Sequence, residues 1–471
     1  VLLKEIKTKL SIDLIYNLMK SDNDESAFLY SSLQTKQLGE YSFIGINSFL
    51  KIEGFKGKYF FNGEEEKGDF FKALKSILKK YKVENYTHMP FISGGIGYLS
   101  YDLGRTLEIF DDTAKENVDI PLGCFNFYDN LIIFDHIENK TYISSLGILE
   151  EEQESLKEIK NKISSYEKSY FNKLDVFENV ILDNKKPQNI ELTTEKLINE
   201  GFKSNFKKDE YKETIDKVKK YIEEGHIYIT NLTQQFVKST DKDPYEVYKD
   251  LMELSPAPFS AYLDFKNFKI ISSSPERFIQ INNGKVITRP IKGTRPRGNS
   301  IKEDENNKKE LINSEKDKSE LLMIVDLERN DLSKVCKQHT VNVTELFKIE
   351  EYSTVFHLVS NIEGKLREDN DMIDCIKATF PGGSITGAPK IRSMEIIEEL
   401  EKVKRNIYTG ALGYISFHDT CDLNIIIRTI LQKNNKAYFG VGGGITCESE
   451  SQFEYEETLH KAKAMVEALI K

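Results

Sequence analysis

Pro290-Ile291-Lys292-Gly293-Thr294-Arg295-Pro296-Arg297 is the stretch from which the whole chain is read, because a proline-bounded, glycine-interrupted turn presents one primary amine in a fixed place. Sixteen positions upstream stands Glu276, in Ser272-Ser273-Ser274-Pro275-Glu276-Arg277. An amine tuned by neighbouring charge or burial acts as a nucleophile near neutral pH, and a carboxyl in the same cleft moves the proton a leaving group needs. Taken alone, the stretch also reads as a surface lysine in a basic loop, since Arg295, Arg297 and Lys302 follow within ten residues. The rest of the chain decides between the two.

At 471 residues the chain is long enough for more than one domain or for one large interlocked domain, since single cores stop growing near ~250 to 300 residues. A hydrophobic share of 39% supports a substantial core. The net charge of −10 argues against general attraction to nucleic acid or to an anionic membrane, while leaving room for small-anion sites. Five cysteines, Cys124, Cys336, Cys375, Cys421 and Cys447, form no Cys-x-x-Cys pair, which argues against a zinc ribbon or a disulfide scaffold and fits a reducing cytoplasm. Val1–Lys20 is interrupted by charge and lacks a signal-peptide core, and no run approaches the ~18 apolar residues of a membrane span. The expectation is a soluble, cytoplasmic protein.

Residues 1–146 carry short β-branched and aromatic runs with glycine punctuation, interrupted by a helical pattern over 69–82. Residues 147–206 turn to Glu, Lys and Asn and read as an exposed helix and a long charged connection. Residues 207–471 open on an amphipathic helix over 209–224 and then alternate strands and helices, with 301–320 reading as a solvated helix or loop and 391–403 as a helix behind Pro389.

Several segments in this last part carry chemistry. Glu454, Glu457 and Lys461 are spaced i, i+3, i+7, which puts two carboxylates and an amine on one helical face. With Glu320, at the head of the apolar run Leu321-Leu322-Met323-Ile324-Val325, they make an oxygen set suited to Mg²⁺, although each also reads as a solvated acid. Asp326, Arg329 and Asp331 read as a buried structural network. Pro381-Gly382-Gly383-Ser384-Ile385-Thr386-Gly387-Ala388-Pro389-Lys390 offers backbone amides ahead of a helix but is not a Walker loop, because Ala388-Pro389 follows the glycine. Gly440-Val441-Gly442-Gly443-Gly444 lacks the full dinucleotide pattern. His357 reads as a hydrogen-bonded core histidine, and Arg428 either as a fork for a substrate carboxylate or as half of a structural ion pair.

In this order the segments resemble one family, the chorismate-utilising enzymes. The resemblance runs from about Tyr228 to Ala464 and is carried by Ser273-Ser274-Pro275-Glu276, the Pro290–Arg297 stretch, Glu320, His357-Leu358-Val359-Ser360, Pro381–Lys390, Tyr408, Gly410-Ala411-Leu412-Gly413-Tyr414, Gly442-Gly443-Gly444, Glu454, Glu457 and Lys461. Gly39-Glu40-Tyr41-Ser42-Phe43-Ile44-Gly45 resembles the N-terminal region of anthranilate and aminodeoxychorismate synthase large subunits. Within the family, lysine at position 292 is similar to the lysine type of aminodeoxychorismate synthase, whereas anthranilate synthases typically have alanine there. Ile229 stands where isochorismate and salicylate synthases need a water-activating lysine.

The resemblance implies an α+β fold with two antiparallel sheets packed as a sandwich and helices outside. It implies Mg²⁺ on Glu320, Glu454 and Glu457, Glu276 as the acid and Lys292 as the nucleophile. It also implies a chorismate pocket formed by Thr386, Gly387, Tyr408, Arg428, Gly442, Gly443, Gly444, Lys461 and His357. The chain shows no glutaminase nucleophile turn, so the resemblance implies a glutamine amidotransferase partner, or free ammonia, as the nitrogen source for 4-aminobenzoate and folate biosynthesis. Ser31 replaces the glutamate usual in tryptophan-regulated members, and any bound indole would be structural, with Ser32, Tyr41, Ser42 and Phe43 as its neighbours.

Overall fold

The computed structural model describes the chain except for residues 22–23, 34–37, 175–191, 299 and 353–354 and the side chains of 172–174. The fold is α+β. Among the described residues twenty-two strands join into one hydrogen-bonded network, and every pairing between named strands is antiparallel. Of the two arrangements the length allows, the chain adopts the interlocked one: strand Gly94–Leu99 pairs with Ala411–Ser416, and strand Ser26–Tyr30 with Phe259–Asp264.

Alternation along the strands sorts their side chains between different cores. In strand Gly123–Asp135, Leu131 and Ile133 enter one cluster and Ile132 another; in Ala411–Ser416, Leu412 and Tyr414 face that first cluster while Ala411 and Ile415 face a third. The first cluster, with Phe43, Phe91, Tyr98, Tyr128, Leu263 and Ile270, contains no helix residue among those described. The other two take in the helices, Ile12–Met19, Lys208–Glu223, Pro244–Leu254 and Ser451–Ile470 in one, Phe70–Lys80, Glu315–Ser333 and Met372–Thr379 in the other.

Local signals account for the helix ends. Asp69 caps Phe70–Lys80 by accepting from Lys72 N–H at 2.8 Å, and Asp243 caps Pro244–Leu254 with proline in the first turn. The stretch read as one solvated helix or loop over 301–320 is two helices, Ile301–Asn313 and Glu315–Ser333, because Ser314 ends the first and caps the second by accepting from Asp317 N–H. The helix read as exposed, Glu152–Leu174, buries Leu156, Ile159 and Ile163 against the core. Asp326 and Arg329 form an exposed ion pair at 3.0 Å, a correction to the buried network expected there, whereas Asp331 is buried and holds Lys334 and Lys390. No helix among the described residues is long and apolar enough to cross a membrane.

Candidate active site

Strand Ile229–Ser239 is flanked on one side by Lys436–Ile445 and on the other by the two-residue strand Gly387–Ala388. Thr230 thereby faces both Ile445 and Gly387, and Asn231 faces Gly444, so the glycine run and the 382–388 turn meet at one strand end. Asn231 N–H donates to Thr386 O at 2.7 Å, and Thr386 Oγ1 donates to Gly382 O at 2.9 Å. Gly387 has φ +149°, and a Cβ there would strike Ile229 O. Gly387→Ala is therefore expected to lower stability by about 2–4 kcal/mol, read as a fall in the denaturation midpoint.

Lys292 lies in strand Ile291–Pro296, paired with Val355–Lys365. A bulge at Gly293, φ +74°, shifts the register so that Lys292 faces Leu358 while Thr294 faces His357. The Lys292 Nζ donates to Ser384 O at 3.1 Å. A Cβ on Gly444 would lie 3.6 Å from this amine and 3.1 Å from Ile229 Cδ1, so the glycine keeps the space between them open. Glu276 is buried at 6% exposure, and burial raises its carboxyl above the ordinary value against the pull of Ser384, Lys292 and the Ile291 N–H. His357 shares a 2.9 Å hydrogen bond with Thr294 Oγ1, and burial together with the Arg428 charge holds its imidazole down at about 3, so it is neutral.

The acidic wall comes from two helices. A Cβ on Gly443 would stand 3.2 Å from Glu454 Oε2 and 3.8 Å from both Glu457 Oε2 and Lys461 Nζ, which explains glycine at the point where the Ser451–Ile470 helix approaches the sheet. Ser449 Oγ donates to Glu454 at 2.7 Å, Lys316 lies 3.6 Å from the same carboxylate, and Lys461 bridges Glu457 at 2.8 Å and Gly442 O at 2.8 Å. Burial raises Glu454, which is also repelled by Glu457, and burial raises Glu320, which is also repelled by Glu454. Glu457 lies below its usual range because Lys461, Lys292 and Lys316 outweigh its burial. Mutually repelling, partly buried carboxylates are a donor set that fits a hard divalent cation. Their oxygens are not drawn together: among the described residues the trio with donor atoms within 4.8 Å of one another is His88, Asp135 and Glu138, at the 135–140 turn.

Arg428 occupies the turn between strands Cys421–Ile425 and Thr429–Lys433 with φ +49°. Burial depresses its guanidinium, and among the described residues no carboxylate pairs with it, so the ion-pair alternative has no partner in this structure. Tyr408 is buried, its ring packed over Gly440 and its phenol pushed up by burial.

Residues 25–467 match the model of a family described as chorismate binding enzyme. The anthranilate synthase component 1 of Acetivibrio thermocellus is 37% identical over 462 residues, covering 95% of this chain and 91% of that protein. The chain belongs to the chorismate-binding enzymes. Another relative within this family is the aminodeoxychorismate synthase component 1 of Bacillus subtilis (strain 168), 36% identical over 93% of this chain and 91% of that one. The crystal structure of anthranilate synthase component I from Streptococcus pneumoniae TIGR4 superposes with a TM-score of 0.76 at 29% identity, covering 97% of both chains.

Lys292 and Lys461 act on the charge of Glu276, Lys292, Lys316 and Glu454 on that of Glu320, and Lys461, Lys292 and Lys316 on that of Glu457. Sequence reasoning missed Ser384, whose carbonyl holds Lys292, and Lys316, which reaches Glu454. Of the four residues expected beside an indole, Tyr41 and Phe43 line a cavity of about 270 Å³ with Ser31, Pro258 and Tyr414. Ser32 and Ser42 are not in its lining: Ser32 bonds to Ala257 and Ser260, and Ser42 to His136.

Proposed function

We propose that this chain adds ammonia to chorismate at C4, giving 4-amino-4-deoxychorismate without loss of pyruvate, as an aminodeoxychorismate synthase component. The observation that carries this reading is Lys292 itself, an amine held by Ser384 O beside Glu276 and facing the opening that Gly444 leaves. Ile229, an alkyl group across the same glycine, supports amination over hydration, because it has no atom to activate water.

In the reaction, Arg428 and Tyr408 hold the enolpyruvyl carboxylate, and amides of the 442–444 and 386–387 segments line the rest of the anion pocket. The Lys292 Nζ lone pair forms a bond to C2, the C1=C2 and C5=C6 double bonds shift to C1=C6 and C4=C5, and the C4–O bond breaks as Glu276 delivers its proton, releasing water. Ammonia then bonds to C4, both double bonds shift back, the C2–N bond breaks to free Lys292, and the new ammonium at C4 returns a proton to the Glu276 carboxylate. Glu276 suits the donor's part because burial keeps a proton on it at higher pH than an exposed glutamate. Glu320, Glu457 and Glu454 would hold Mg²⁺, which when bound neutralises the ring carboxylate of the substrate. A glutamine amidotransferase subunit is the proposed ammonia source.

On the fold, we infer a two-layer sandwich, supported by one core cluster without helix residues among those described beside two clusters that take in the helices. We assign the 270 Å³ cavity to a structural indole, in keeping with Ser31, which donates to Pro258 O at 3.0 Å.

A second reading is anthranilate synthase component I, and the comparisons favour it: the 37%-identical relative and the superposed crystal structure both carry that description. Chorismate, Mg²⁺ and ammonium with the purified protein separate the two. Production of 4-aminobenzoate after addition of a pyridoxal-dependent lyase supports the first reading, and anthranilate with pyruvate overturns it. Magnesium is expected to raise the melting temperature of the wild-type protein and leave Glu457→Gln unshifted, and a chelator is expected to stop turnover until Mg²⁺ is restored.

A further inference from the structure

Two lysines stand on the acidic wall, and they are held differently. Lys461 Nζ lies 2.8 Å from Glu457 Oε1 and donates to Gly442 O at 2.8 Å, so two acceptors fix it. Lys316 Nζ lies 3.6 Å from Glu454 Oε1, beyond hydrogen-bond range, and among the described residues its ammonium makes no hydrogen bond. The oxygen it faces already accepts from Ser449 Oγ at 2.7 Å. Charge alone keeps Lys316 there.

Local structure adds little to hold it. Lys316 sits in the first turn of helix Glu315–Ser333, where the positive end of the helix dipole disfavours a cation. Glu320, four residues on, shares its face of that helix, but lysine N-terminal to glutamate is the weaker order for such a pair. The Lys316 side chain is 40% exposed and that of Glu454 only 2%, so the amine is free to move while the carboxylate stays in place. A second seat lies beside it: Nζ is 6.0 Å from the centroid of the exposed Phe453 ring.

We propose that Lys316 is a built-in competitor of the divalent cation: a metal held by Glu320, Glu454 and Glu457 drives the ammonium off Glu454 toward Phe453, and the lysine thereby sets how tightly the metal is held. This role rests on the Mg²⁺ reading of those three carboxylates. Glu454 Oε2 lies beside Gly443, as does Glu457 Oε2, while Lys316 draws on Oε1 of the same Glu454 carboxylate. A divalent cation shared by Glu454 and Glu457 and an ammonium on the other Glu454 oxygen repel across a few ångströms. In a partly exposed site that repulsion weakens metal binding by about tenfold or more.

Titration calorimetry of the whole protein with magnesium chloride tests this without turnover. Lys316→Met, which keeps the chain and removes the charge, is expected to bind Mg²⁺ about tenfold tighter than the wild type, and Lys316→Arg to stay within about threefold of it. Equal or weaker binding by Lys316→Met overturns the proposal, since a lysine that only oriented Glu454 would be missed by the metal. If neither the wild type nor Lys316→Met binds Mg²⁺, the Mg²⁺ reading falls and the role of Lys316 with it; equal binding by the two leaves that reading standing and rejects the role alone. Mass-spectrometric mapping of lysine acetylation needs no variant to fold. In the wild type, saturating Mg²⁺ is expected to speed modification of Lys316 by at least about threefold, because the amine leaves its carboxylate. An unchanged or slower rate is contrary.

Discussion

Lys292→Ala is expected to abolish the covalent adduct with chorismate and to slow turnover by at least ~100-fold, about 2.7 kcal/mol in the barrier. The side chain is held by a single carbonyl, Ser384 O, so its removal leaves that acceptor beside an open space rather than a broken core. Stability is accordingly expected to change little, and a loss of rate with an unchanged melting temperature would separate chemistry from folding. Intact-protein mass spectrometry on chorismate without ammonia gives the direct reading: a mass shift that maps to Lys292 in the wild type and vanishes in the variant. An adduct on any other residue would exclude the assigned nucleophile.

Glu276→Gln is expected to cut kcat by ~10²–10⁴-fold with KM nearly unchanged, because an amide of the same shape keeps the contacts and cannot give up a proton to the C4 hydroxyl. Burial that raises the Glu276 carboxyl also means that the neutral amide is tolerated where it sits. A substrate with a better leaving group at C4 should restore part of the rate in this variant and none in Lys292→Ala. If Glu276→Gln turned over as fast as the wild type, the proton would have to come from elsewhere.

Much of the candidate site is legible in the chain because its residues lie in short segments whose spacing is itself structural. Glu454, Glu457 and Lys461 share a helix face, and Gly443 with Gly444 stands where that face and Lys292 approach the sheet. In Asp326-Leu327-Glu328-Arg329 the first and last residues form an exposed ion pair, while the turn of the helix sends Glu328 inward to accept from Thr288 Oγ1 at 2.8 Å. Charge density also masked the 152–174 helix. Leu156, Ile159 and Ile163 recur at i, i+3, i+7, but glutamates and lysines surround them, and three apolar positions suffice when the opposite face is solvent. Ser384 could not have been found by residue type, since its backbone carbonyl, and not its side chain, holds Lys292.

The pairing of Gly94–Leu99 with Ala411–Ser416 has a consequence for how the molecule is made. During synthesis the first strand leaves the ribosome more than three hundred residues ahead of its neighbour, and until then an edge rich in glycine and apolar side chains stays unpaired. Nascent chains would need shelter over that interval, and refolding from denaturant should be slow and concentration-sensitive for the same reason. A chain cut before residue 411 would keep the N-terminal half yet lack the strand that covers it, so truncation is expected to yield aggregates rather than a smaller folded protein.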